Sequence, residues 1–88
     1  MIYHDTYVSC SDLETLTESL SSFVNYIQPQ QGRAAVEATE ESPAQEAAGD
    51  PALWYSCVRA TAPIDAMVPD GIHVVGAETG AKIVGVWA

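Results

Sequence analysis

The chain has 88 residues, with three Lys or Arg against twelve Asp or Glu and a formal net charge of −9 at pH 7. A chain of this length has apolar residues for one small core, so we expect a single domain over residues 1–88. So few cations cannot neutralise several phosphates or hold an anionic lipid surface, which argues against nucleic acid and membrane as partners and favours another protein or copies of the chain.

Residues 1–10 predict a strand, because side chains suited to opposite faces alternate along them. Both faces carry sizeable groups, and the pattern leaves open which of them is buried. The same residues lack the basic and then apolar stretches of a signal peptide, and no window approaches the ~18 apolar residues of a membrane span. We therefore expect cytoplasmic synthesis.

A helix of about four turns is predicted from Ser11 to the residue before Pro29. The tetrapeptide SDLE at its start is a capping-box pattern, in which Ser11 accepts from the backbone N–H of Glu14 and the Glu14 carboxylate accepts from the N–H of Ser11. Behind it, apolar residues recur at spacings of three and four: Leu13, Leu16, Leu20, Phe23 and Ile27. This stripe spans two heptads, too few for a coiled coil, and favours packing against a sheet.

The segment 28–52 is rich in Gln, Ala, Glu and Pro and contains Val36 as its only large aliphatic residue. It is predicted to be an acidic loop or linker inside the domain, with a short strand at 33–39, pairing with the next strand, as an alternative for part of it. It holds five carboxylates that form either a solvated linker or an acidic contact surface: Glu37, Glu40, Glu41, Glu46 and Asp50.

Residues 53–60 predict a strand in which Leu53, Tyr55, Cys57 and Arg59 alternate with Trp54, Ser56, Val58 and Ala60. An ordered loop through two prolines and a Pro-Asp-Gly turn follows. The last residues predict a β-hairpin whose arms, IHVVGA and AKIVGVW, flank ETG, with Gly80 in the turn. The predicted fold is α+β, with one amphipathic helix packed on an antiparallel sheet of four to five strands and a C-terminal β-hairpin.

Cys10 and Cys57 are too few for a disulfide framework, and buried free thiols are the default in a cytosolic chain. A single disulfide between them is possible if the two are opposite one another on neighbouring strands. No Cys or His pair has zinc-ligand spacing, and no nucleophile or phosphate-loop motif is present. We therefore expect no catalytic residue, cofactor or metal.

The aromatic residues are numerous for so small a core, and they either fill that core or anchor a partner. The candidate anchors are Tyr3, Tyr7, Trp54, Tyr55 and Trp87. We expect a non-enzymatic protein-binding or assembly module, since the edges of a small open sheet readily pair with another chain.

Small size, acidity and an Ala/Glu/Pro-rich insertion are typical of accessory proteins of phages and mobile elements, which suggests incorporation in a virion. The alternative is an inhibitor whose carboxylates imitate nucleic-acid phosphates and block a basic site on a host enzyme. Such an inhibitor requires the five carboxylates of residues 37–50 to form one surface with those of the helix. A small enzyme, the third class, requires a pocket with a perturbed Cys or His.

Overall fold

The computed structural model describes residues 2–23, 25–64 and 67–85. It contains two helices and a five-stranded antiparallel sheet, which confirms the predicted α+β class. The elements in chain order are β1 His4–Cys10, α1 Leu13–Leu20, β2 Asn25–Tyr26, β3 Gln30–Gln31, β4 Trp54–Ala60, β5 His73–Val75 and α2 Ala77–Val84.

The strand β4 lies inside the sheet, whose order is β2-β4-β1-β5 with β3 pairing to β4. Strands β1 and β4 pair along their whole length, from His4 opposite Ala60 to Cys10 opposite Trp54. Because β4 has β1 on one side, β2 and β3 share its other side and together form one edge of the sheet. Strand β5 pairs with β1 and forms the opposite edge.

Each face of the sheet is covered by one helix. Both faces of β1 are therefore buried. On the α1 face, Val8 and Val58 pack against Leu16 and Leu20 of the helix. On the α2 face, the core contains Tyr7, Tyr55, Cys57 and Val84. The predicted alternation along β4 and the packing of the amphipathic helix against the sheet are therefore confirmed.

The helix α1 begins and ends at other residues than predicted. Its N-cap is Asp12, whose carboxylate accepts from the backbone N–H of Thr15 at 2.9 Å and from the Thr15 hydroxyl at 2.7 Å. The helix stops at Leu20 because the chain beyond it joins the sheet edge as β2, and strand pairing there outweighs the continuing apolar stripe. Phe23 still packs against the α1-face core, whereas Ile27 packs on the α2 face.

The Asp12 cap predicts a difference between two neighbouring substitutions. Asp12→Ala is expected to lower the midpoint of thermal unfolding by a few degrees, because the Thr15 N–H loses its acceptor, whereas Ser11→Ala leaves it unchanged. The Thr15 hydrogen bonds lower the pKa of Asp12, so the cap stabilises the fold at neutral pH and loses this effect as the pH falls through that lowered pKa. In thermal melts, the unfolding midpoints of the unaltered protein and of Asp12→Ala should differ at neutral pH and become equal at acidic pH. If Ser11→Ala lowered the midpoint more than Asp12→Ala, Ser11 would be the capping residue, as the capping-box pattern predicted.

The predicted C-terminal hairpin is wrong, because its predicted turn and the first four residues of its second arm are helical. After β5, residues 77–84 form α2, with Gly76 as N-cap and Gly85 as C-cap at φ 83°. Glu78 in the first turn and Lys82 in the last turn complement the helix dipole. Gly80, expected in a turn, lies inside the helix and is buried. Trp87 lies outside the described residues.

Residues 33–48, here called the acidic arm, fold back on themselves instead of pairing with β4. Arg33 bridges Ala48 and Val36 bridges Gln45, with backbone hydrogen bonds of 2.8–2.9 Å. Within the segment 28–52, the strand that pairs with β4 is Gln30–Gln31, which precedes the arm. The molecule measures 46 × 28 × 17 Å, and its radius of gyration of 14.0 Å exceeds the roughly 12 Å of a compact chain of this length.

Candidate functional site

The edge formed by β2 and β3 carries features that hinder the addition of another strand. Tyr26 lies opposite Val58 but Gln30 lies opposite Tyr55, so residues 27–29 face only residues 56 and 57 of β4. This bulge contains Pro29, which has no N–H to donate. A bulge and a proline are two of the devices by which sheet edges avoid pairing with other chains.

The opposite edge, formed by β5, lacks these devices. Strand β5 pairs with β1 through three residue pairs, His73 with Ser9, Val74 with Val8 and Val75 with Tyr7. Its outer side has no strand partner among the described residues, and it contains neither a proline nor a charged Lys or Glu. Val74 is 49% exposed. An uninterrupted strand edge of this kind offers backbone groups to a further strand.

A groove extends this edge past the end of β5, where β1 continues beyond its pairing with that strand. It has a volume of about 260 Å³ and is lined by Asp5, Thr6 and Tyr7 of β1 and by residues 74–77. The Asp5 carboxylate is held by the Arg59 guanidinium, at 2.9 Å to Nε and 3.2 Å to Nη2. We call β5 and this groove together the β5 edge site.

The structure places the predicted aromatic anchors in different environments. Tyr7 and Tyr55 are core residues, 5% and 6% exposed, and Trp54 is half-buried against the α1-face core. The Tyr7 hydroxyl donates to the Gly85 carbonyl, and the Tyr55 hydroxyl accepts from the Asp50 N–H. For Tyr7 and Tyr55 the core-filling interpretation therefore applies.

Tyr3 is the predicted anchor that lies on the surface of the described part of the chain, at 51% exposure. It lines a second groove, of about 370 Å³, together with Phe23, Asn25, Arg59 and residues 60–61. This groove lies at the end of the sheet where β1 begins and β4 ends. No local pattern pointed to it, because Phe23 belonged to a predicted helix.

The five carboxylates of residues 37–50 are all exposed, and the structure separates Glu46 from those of α1. Glu46, on the acidic arm, accepts from Lys82 of α2 at 3.2 Å. Glu14 and Glu18 belong to α1, which packs on the opposite face of the sheet. Glu46 and the α1 carboxylates therefore lie on different sides of the sheet.

The two thiols are buried and separate, so the possibility of a disulfide between them is wrong. Cys10 lies in the α1-face core and Cys57 in the α2-face core, and their partners across the β1–β4 pairing are Trp54 and Tyr7. Burial, and then the nearby Asp5 charge, raise the pKa of Cys57 to about 12. Since the thiolate is the reactive form, Cys57 is unsuited to nucleophilic catalysis at neutral pH.

Both thiols are consequently expected to resist a thiol reagent while the protein is folded. With a disulfide-exchange reagent such as Ellman's, native protein at neutral pH should release almost no chromophore, and protein in denaturant should release two equivalents, one each from Cys10 and Cys57. The denatured sample is the internal control for the thiol count. Rapid reaction of one thiol in the native protein would show that its core is open to solvent.

No protein-family model, curated protein or solved structure matches the chain. Within residues 2–23, 25–64 and 67–85, no group of three or more His, Cys, Asp or Glu converges as metal ligands would. In the same ranges, no helix is long and apolar enough to cross a membrane. The arrangement of the two sheet edges is therefore the feature from which we infer a function.

Proposed function

We propose that this protein is a non-enzymatic binding or assembly module that accepts an extended segment of another chain at the β5 edge site. The observation that supports this proposal is the difference between the two edges: one is interrupted by a bulge and Pro29, and the other has neither device. A virion-associated accessory role belongs to the same proposal.

Other surface features favour binding over catalysis. Tyr3, Val74 and Met67 expose 51%, 49% and 66% of their surface, and exposed apolar side chains are suited to contacts with a partner. The pKa of the buried Cys57 is shifted toward the inert protonated thiol. These properties fit a docking surface better than a reaction site.

The charge-mimicking inhibitor is the weaker candidate. One observation favours the inhibitor: two antiparallel bridges hold the acidic arm in a folded-back conformation, and its carboxylates are exposed to solvent. However, a mimic of a nucleic-acid backbone needs a continuous array of charges, and the Glu46 and α1 carboxylates lie on opposite sides of the sheet.

The proposal can be tested without knowledge of the natural partner. A library of random peptides displayed on phage is selected against the immobilised full chain, enriched peptides are synthesised, and amide hydrogen exchange is measured with and without each peptide. Slower exchange of amides in 73–75, with unchanged exchange in β2 and β3 at the other edge, is the expected result, because an added strand protects the edge that it pairs with.

Two results would contradict the proposal. One is protection confined to regions other than the β5 edge site. The other is a failure to enrich any peptide combined with a clean monomer by light scattering at both low and ~0.5 M salt, where charge attraction is screened and apolar association persists.

A further inference from the structure

We propose that the segment accepted at the β5 edge site is a basic, extended peptide of a different protein rather than a second copy of this chain. This inference rests on the proposed function, since it specifies the partner of the same site. Backbone pairing would supply affinity at the edge, and opposite charge would select the partner.

The acidic residues around the site favour such a partner. Asp70 precedes β5 and Glu78 follows it, and both are exposed. Asp5 lines the adjoining groove, but Arg59 already balances its charge. A strand laid along β5 would therefore have an acidic residue of this chain within three residues of each end of β5. At exposed positions near a binding edge, opposite charges raise both association rate and specificity.

The protein's own cations already have acidic or carbonyl partners. Arg59 is bound to Asp5, Lys82 to Glu46, and the Arg33 Nε–H donates to the Glu46 carbonyl. With twelve acidic residues against these three, the net charge of −9 remains for a partner to balance. The long-range field therefore attracts positively charged segments and repels negatively charged ones.

Pairing of β5 with β5 of a second copy brings like charges together in either direction. An antiparallel arrangement places the end that carries Asp70 beside the end that carries Glu78 of the other copy. A parallel arrangement places each of these residues beside its own equivalent. Because each copy also carries a charge of −9, self-association at this edge is opposed at short and at long range.

The test uses synthetic peptides of about seven residues, a length that covers one strand, in which Val and Thr alternate with Lys or with Glu. Each peptide is fluorescently labelled, capped at both ends and titrated with the full chain while fluorescence anisotropy is recorded. The Lys peptide is expected to bind at least about tenfold more tightly than the Glu peptide at low salt. A backbone N-methylated Lys peptide, which cannot donate to a strand edge, should lose most of this binding.

Two matched variants show whether the attraction is local. Asp70→Asn with Glu78→Gln removes two charges beside β5, and Glu40→Gln with Glu41→Gln removes two charges from the acidic arm. The first pair should weaken binding of the Lys peptide by about three- to tenfold, and the second pair by clearly less, because screening limits the reach of distant charges. All four positions are exposed, so folding should be retained.

The inference is overturned by equal affinity for the Lys and Glu peptides, by equal effects of the two variant pairs, by full binding of the N-methylated peptide, or by a dimer that protects the amides of 73–75. Failure of the inference can be told from failure of the proposed function. Neutral or acidic peptides that emerge from the library and protect β5 would leave the proposed function intact and remove only the basic partner.

Discussion

Replacing Leu16 with alanine is expected to lower the free energy of unfolding by about 3 kcal/mol, within the range measured for buried Leu→Ala changes. Leu16 is 0% exposed and lies in the α1-face core beside Val8 and Val58. Truncation removes apolar area and leaves a cavity between the helix and the two longest strands. The measurement is equilibrium unfolding in urea, followed by far-ultraviolet circular dichroism.

Leu13→Ala is the matched control, because it makes the same chemical change in the same helix. Leu13 is 38% exposed, so its substitution is expected to cost well under half as much. A domain of this size has a total stability of about 4–13 kcal/mol, and the loss at Leu16 is therefore a large part of it. Equal effects at the two positions would mean that α1 packs against the sheet through a different face.

Replacing Gly80 with alanine is expected to destabilise the protein even though alanine is the better helix former. A Cβ at this position would overlap the ring and Cβ of Tyr7, which support α2 on the sheet. The helix-propensity gain of about 1 kcal/mol is opposed by overpacking, which costs about 1–3 kcal/mol in a well-packed core. Because the Tyr7 hydroxyl also donates to Gly85, the ring cannot move freely, and a net loss of about 1–2 kcal/mol is expected.

Gly76→Ala separates the effect of contact from the effect of glycine itself. Gly76 has φ −57°, and among the described residues no atom beyond its chain neighbours lies within 4 Å of the position that a Cβ would occupy. Alanine there is therefore compatible with the native backbone. It should change stability little, because the gain of about 0.4–1 kcal/mol from restricting the unfolded chain is opposed by alanine being a poorer N-cap than glycine. Thermal melts of both variants provide the comparison, and a stabilised Gly80→Ala variant would show that α2 does not lie directly on Tyr7.

Elements with a regular pattern over seven residues could be predicted from the sequence. The alternation in β4 correctly separates Tyr55 and Cys57 from Ser56 and Val58, and the apolar spacing in α1 correctly identifies Leu16 and Leu20 as buried. These signals are local. Residues two apart in a strand, or three and four apart in a helix, share a face, so nearby sequence is enough to assign it.

Elements whose conformation depends on distant contacts could not be predicted. The stripe from Leu20 to Ile27 fits a helix, but pairing with β4, some thirty residues later, draws Asn25 and Tyr26 into the sheet. In α2, Gly80 resembles a turn residue, whereas its small size serves the contact with Tyr7. Short segments with ambiguous propensity follow their tertiary contacts.

The β5 edge site was also beyond the reach of local patterns. Its open character depends on strand order, and the sequence does not specify which strands form the edges. Asp5, Val74 and Ala77 line one groove although they are far apart in the chain. The general expectation of a binding sheet edge followed from size and class, but its location required the topology.

The pairing of β1 with β4 also constrains the order in which the molecule can form. His4 meets Ala60 and Cys10 meets Trp54, so β1 emerges from the ribosome about fifty residues before its main partner exists. Until then β1 and α1 have no sheet to complete, and their apolar side chains are open to chaperones or to other nascent chains. Strand β5 and α2 follow later still, so the α2 face is the last to close. We expect slow, late folding, as is usual for chains dominated by non-local pairing.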